Sequence, residues 1–467
     1  MRTPPLVASK VPPCTAKMVV AYTPFHPEGG TQQVNSQKVI GKVGKFNLCF
    51  RQEPLTSHAG TVLLQDFARR LGVERVLDEE LQVKARERGY GEGQAISGLV
   101  YNLVVGGEPL SDLEVLGGDR GTQELLEAEA ILAPTTAGAF LRKFAIGDVQ
   151  DLQRVHRRLQ ERVRPHQRAT TCTIDLASSL SEQASTQKEG STKAYNGEVG
   201  YPPLVAFWAE EGELLCRHLR RGSAQTARNV RWFLRETLKR VPDTAVKHLR
   251  ADSGFYSKAV VEGCEAQGFT FALTADQTAP LLAAIAAVPE RCWQQLPEYE
   301  LAEVAELHYQ PLGWWVQPSR SVVKRALAET KAGERYWKYH ATVTNDPERS
   351  AREGVVWHLQ HANMENAIKE HKSGFGLEKL PTQKFHANWA SLLLGQLAFN
   401  LGAWFTRLVL PPGYQRATIK TIRHHLFNLA GKLVHTARQV FLVISDSYRY
   451  QPVWQFAMQR LPHLQFG

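Results

Sequence analysis

A chain of 467 residues exceeds the length at which a single hydrophobic core usually stops growing, so two or more domains are expected. Its apolar fraction of 43% and charged fraction of 22% exclude disorder as the default state. Lys plus Arg at 56 against Asp plus Glu at 46 leaves a formal charge of +10, which favours a polyanionic partner without identifying one.

The first residues, MRTPPLVASKVPPC, lack the apolar core of a signal peptide, and no run reaches the ~18 consecutive apolar residues of a membrane span. Residues 1–56 are punctuated by Pro and Gly with short alternating pieces such as KVGKFNLCF, and read as an arm with a strand or two. From 57 to 165 the texture is helical. SHAGTVLLQDFARRLG runs from a Ser cap to a Gly stop, and DVQDLQRVHRRLQERVR carries Arg154, Arg157, Arg158, Arg162 and Arg164 on a face that is either solvated or turned to phosphates. This block is expected to bind DNA or dimerise.

Strand patterns begin at 166. ATTCTIDLASSL alternates around β-branched residues, YPPLVAFWAEEGELLCRHLRRGSA holds two strand-like runs about a Glu211-Gly212 turn, and TARNVRWFLRETLKRVP is a capped amphipathic helix. A strand (AVKHLRADSGF), a helix (SKAVVEGCEAQG) and a strand (FTFALTAD) follow, which predicts a mixed sheet covered by helices over 166–280. Residues 281–356, with AEVAELHYQ, GWWVQ and WKYHATVTN, read as a β-rich insertion before helical texture returns over 357–408. There SLLLGQLAFNLGAWF is a buried helix broken by Gln396 and Asn400. The stretch 409–467 is a basic tail that either binds DNA or covers the sheet. Six scattered cysteines (Cys14, Cys49, Cys172, Cys216, Cys264, Cys292) form no C-x-x-C pair, so reduced thiols in an intracellular protein are expected and a zinc site is not.

Three acids draw attention. Asp175 lies inside the first strand and Asp252 ends a later one beside Ser and Gly, where α/β sites place functional groups. Alone, either is a cap or turn residue; as a pair on two strands of one sheet they are more specific. Glu365 supplies the third. On a helix, His358, His361, Glu365 and Lys372 share one face with Lys369 beside them, either as a solvated Glu-Lys surface or as an acid for a metal with cations for a phosphodiester.

The order Asp175, Asp252, Glu365 and the phrases RADSGFY and ENAIKEHKSGFGLEKLP resemble the D-D-E transposases of bacterial insertion sequences, in particular the thirteen-eighty group related to piggyBac-type elements. SHAG, LVYNLVVGGEPLSDLE and PTTAGAFLRKF fit as well, so the resemblance spans nearly the whole chain. It implies an α/β, RNase H-like mixed sheet flanked by helices, interrupted by the β-rich insertion and preceded by the helical region. It implies a DNA transposase that cleaves transposon ends and transfers strands into target DNA, with two Mg²⁺ ions, replaceable by Mn²⁺, held by Asp175, Asp252 and Glu365. Lys372, Lys369, His361, Arg217, Arg220 and Arg221 would contact DNA, and Trp315 or its neighbour Trp314 would stack on a base. A homodimer or larger assembly on double-stranded terminal repeats and target DNA, no membrane, and a cytoplasmic, nucleoid-associated location are implied too. In the clan signature Y-x2-R-x3-E-x6-K, Glu365 and Lys372 match, whereas His358 and His361 replace Tyr and Arg. Two other classes share the pattern: an RNase H-like DNA nuclease that does not transpose, and a transposon-derived DNA-binding protein without catalysis.

Overall fold

The computed structural model describes residues 39–49, 53–84, 89–108, 110–128, 131–178, 180–183, 186–193, 197–224, 229–243, 245–311 and 319–467. The chain divides into two compact units, residues 1–53 and 54–467. In the first, Val39–Val43 pairs antiparallel with Phe46–Cys49 about Gly44, whose φ of 56° suits a residue without Cβ.

The second unit is built on a nine-stranded sheet. Its strands are β1 (Thr171–Ser178), β2 (Leu204–Trp208), β3 (Glu213–His218), β4 (Val246–Ala251), β5 (Thr270–Thr274), β6 (Gln294–Gln295), β7 (Ala302–Tyr309), β8 (Ser319–Glu329) and β9 (Arg335–Thr344). Their order across the sheet is β6-β7-β8-β9-β5-β4-β1-β2-β3. β4 lies parallel to both β1 and β5, while β1-β2, β2-β3 and β5-β9 are antiparallel. The expected mixed, RNase H-like sheet is therefore present. The β-rich stretch after 281 is continuous with it: β9 pairs Thr342, Val343 and Thr344 with Thr274, Leu273 and Ala272, so these β-branched residues extend the sheet beyond β5.

Strand alternation divides the two faces. Cys172, Ile174 and Leu176 of β1, with Leu249 and Ala251 of β4, point into a core closed by Phe233 and Leu234 of helix α2 (Val230–Leu238) and Val260, Val261 and Cys264 of α3 (Lys258–Ala266). The opposite face carries Thr173, Asp175 and Ala177 of β1 with His248 and Arg250 of β4. On that side the larger core gathers the N-terminal helices, among them Thr61–Leu71, Val73–Glu80 and Glu92–Val105, around the long helix α6 (Phe385–Val409) and α1 (Ile146–Val163). By length and composition alone α6 could cross a bilayer, but 83% of its most apolar window is buried inside the protein.

The polar residues that interrupt α6 attach it to the sheet. Asn400 accepts from the Leu214 amide (2.9 Å) and donates to the Leu214 carbonyl (2.9 Å), and Gln396 donates to that carbonyl too (2.9 Å). They satisfy the backbone of the edge strand β3 where no further strand does. On α1, Arg154 and Arg158 bind Glu80 (3.0 and 2.9 Å), and Arg162 donates to the Leu71 carbonyl (2.6 Å), so this arginine face joins α1 to the preceding helices. In the tail, strands Gly431–His435 and Val440–Val443 form a small sheet with Leu55–Thr56.

Candidate active site

The acid-bearing face lies where β1 and β4 run side by side beneath helices α4 (Ala351–Leu359) and α5 (Ala362–Lys369). Period two puts Arg250 and Asp252 on one side of β4, and the register sets Arg250 against Asp175. Asp175 is 1% exposed and Arg250 3%. The guanidinium grips both carboxylate oxygens, Nε to Oδ1 at 2.7 Å and Nη2 to Oδ2 at 2.8 Å. His361 Nδ1 donates to Oδ1 as well (3.0 Å). Arg250 spends its remaining reach on the helices, with Nη1 donating to the Trp357 carbonyl (2.8 Å) and the cation lying 5.4 Å from the Trp357 ring centre. Asp175, Arg250 and Trp357 thus form a buried fastening between sheet and helix.

That fastening also explains a departure from the single helical face anticipated around Glu365. The segment is two helices, α4 ending at Leu359 and α5 starting after His361, followed by a π-helical turn over Glu370–Gly374. The Trp357 carbonyl, which the His361 amide would take in a continuous helix, receives Arg250, and that amide bonds to the His358 carbonyl (2.9 Å). His358 and His361 remain neighbours, their rings nearly parallel with centres 6.3 Å apart, while Glu365 and Lys372 part from them into different surroundings. His358 is 3% exposed, paired with Thr274 Oγ1 (2.8 Å), and burial pushes its imidazole down to about 3. Glu365 is exposed and makes no hydrogen bond or ion pair among the described residues. Lys372 is half-buried, donates to the Leu180 carbonyl (2.5 Å), and is held below the usual lysine range by burial.

Asp252 caps the turn after β4, its Oδ1 accepting from the Gly254 amide (2.9 Å). Burial raises its carboxyl above the ordinary aspartate value; His361 acts the other way and Glu365 raises it further. The Glu365 charge thus reaches the Asp252 carboxyl. Of the anticipated cations, Lys369 and Arg221 are exposed, Arg221 lying 5.8 Å from the Phe385 ring centre. Arg220 is 3% exposed and donates to Pro202 O and Ser178 Oγ (both 2.8 Å). Arg217 is 3% exposed, donates to the His371 ring (2.9 Å to Nε2), and is lowered to about 9 by burial. The structure places it inside the protein, where contact with DNA had been expected, because alternation along β3 turns it inwards to His371. Trp314 and Trp315 lie outside the described residues.

A two-metal centre needs carboxylate lone pairs turned to shared ions. Glu365 and the Oδ2 atom of Asp252 accept no hydrogen bond among the described residues, so they keep lone pairs that could serve such ions. Asp175 does not: both of its oxygens are occupied by cationic or N–H donors, and it is enclosed. Among the described residues no group of three or more His, Cys, Asp and Glu side chains is arranged to hold a metal ion. Sequence reasoning missed Arg250, although its signal was present: an Arg two residues before Asp252 in a sheet strand shares that acid's face and requires a buried partner.

No curated protein matches the chain. Among solved structures, a cryo-EM structure of a piggyBac transposase synaptic complex with hairpin DNA is similar over 88% of this chain and 83% of that one, at 10% identity and a TM-score of 0.45. The family model described as Transposase DDE domain group 1 matches residues 40–466, almost the entire described chain, and the protein belongs to that family.

Proposed function

We propose that this chain binds the DNA ends of a mobile element at the face bearing Asp252, His361 and Glu365, and that transposition, by strand cleavage at those ends and transfer into target DNA, is the reaction to which this face belongs. The observation carrying the reading is that a strand end and a helix bring two exposed acids, Asp252 and Glu365, together, near enough that the Glu365 charge raises the Asp252 carboxyl. DDE transposases use divalent metals, and Mg²⁺ or Mn²⁺ is the ion for which Asp252 and Glu365 are suited. Lys369 and Arg221 are the exposed cations for the phosphate backbone, and assembly on DNA as a homodimer or larger is part of the proposal, since two ends must meet.

A second reading, an end-binding member that does not cut, is favoured by one observation: Asp175 is committed to Arg250. Duplex DNA from either flank of the chain's own coding sequence, compared with unrelated duplex of equal length, tests the shared part. Preferential binding is expected. Lys369→Ala and Arg221→Ala should each weaken binding and lower the slope of log affinity against log salt by about one unit. Equal, salt-insensitive binding of both duplexes would defeat the proposal, and cleavage with strand transfer on the flanking duplex separates its two readings.

A further inference from the structure

The parallel register of β1 and β4 brings Arg250 against Asp175 and Ala251 against Leu176. Continued by one residue, it brings Asp252 level with position 177, which holds Ala177. Positions 175 and 177 share a face, but they differ in depth. Asp175 is 1% exposed, whereas Ala177 is half-exposed and packs at the margin of the core that includes Met364 and Ile368 of α5, the helix of Glu365. Two residues along a strand span roughly 6.6 Å, more than a change of rotamer in Asp175 can cover.

Resting on the second reading above, that of an end-binding member that does not cut, we propose that position 177 is where a carboxylate would complete a cation site with Asp252 and Glu365, that Ala177 leaves that site one ligand short, and that Asp175 is a positioning residue which fastens Arg250 and the helices. The chain accordingly holds DNA without cutting it, and Ala177→Asp supplies the missing ligand. Two further observations agree. Drawing Asp175 outward would strand Arg250 as an uncompensated buried charge. His361 also donates to Asp175 Oδ1 (3.0 Å), a second hold that keeps this carboxylate in its buried position.

The experiment uses the full chain with Mn²⁺ as probe, titrated by calorimetry and electron paramagnetic resonance without DNA, and scores metal-dependent nicking of supercoiled plasmid in parallel. The wild type should bind Mn²⁺ weakly and leave the plasmid intact. Ala177→Asp should bind Mn²⁺ at least tenfold more tightly and nick. The paired variant Asp175→Asn/Arg250→Gln, which keeps a hydrogen-bonded pair without charge, should leave wild-type Mn²⁺ affinity unchanged within twofold. A wild type that nicks, or whose Mn²⁺ binding is lost in the paired variant, overturns the proposal. So does a folded Ala177→Asp protein that gains neither affinity nor nicking. Should Ala177→Asp fail to fold, the wild type and the paired variant decide by the same criteria. Because the Mn²⁺ titrations contain no DNA, loss of end preference would defeat the end-binding reading while leaving the ligand assignment separately tested.

Discussion

Asp175 and Arg250 illustrate how one ion pair can serve architecture. Removing one partner of such a buried pair leaves the other unpaired, so Asp175→Asn alone should cost about 3–5 kcal/mol in urea unfolding, and the paired variant Asp175→Asn/Arg250→Gln much less. A single-variant loss below about 1 kcal/mol would mean that the pair is not sealed from water. Asp252 should behave in the opposite way. Burial first, and Glu365 after it, raise its folded-state value above 3.8, so between 3.8 and that raised value the folded state binds more protons than the unfolded one. Stability therefore falls as pH rises through this window. Asp252→Asn, neutral at every pH and still able to accept from Gly254, should raise Tm at pH 8, with the gain fading towards pH 4. A lowered Tm at pH 8 would contradict the assignment.

At the scale of elements, much was legible and the exceptions have physical causes. The helix over 146–163, the strands around Asp175 and before Asp252, and the buried helix over 385–409 follow from periodicity and caps in the sequence. The break between α4 and α5 was not legible, because its cause is Arg250 capturing a carbonyl more than a hundred residues away in sequence. Nor could pattern alone show that Asp175 is enclosed, since burial depends on which helix covers the strand. Gln396 and Asn400 read as flaws in an apolar run; in the folded protein they terminate the sheet's hydrogen bonding at Leu214. Asn400→Leu keeps the volume and leaves the Leu214 amide without its acceptor, while Gln396 still donates to the carbonyl, so a loss of about 1–3 kcal/mol is expected by thermal or urea unfolding. A neutral outcome would show that water reaches this edge.

For the molecule as a whole, buried imidazoles set the response to acid. His156 and His358 are pushed down to about 3, His218 to about 4, and His371 well below 6.5, in each case chiefly by burial. A histidine kept neutral in the folded state makes the unfolded state the better proton acceptor below 6.5, so stability is full above that value and declines as pH falls. Each contributes about 1.4 kcal/mol per pH unit over its window. Unfolding free energy measured from pH 7 to pH 4 should fall steeply, and His358→Gln should flatten the curve. A pH-independent midpoint over that range would show that these rings are hydrated.

The sheet's connectivity also governs the order in which the protein can be made. Asp175 emerges from the ribosome 75 residues before Arg250, and Trp357 follows Arg250 by 107 more. At roughly 5–20 residues per second, the nascent β1-β2-β3 meander waits about 4–15 s for its neutralising partner, with the helices α4 and α5 that will cover its carboxylate still unmade. The parallel strand β4 must then insert beside β1, and such pairing of distant segments is slow. The antiparallel meander is thus complete in sequence before β4 is made, and closure over Asp175 must wait until Arg250 and Trp357 have both emerged.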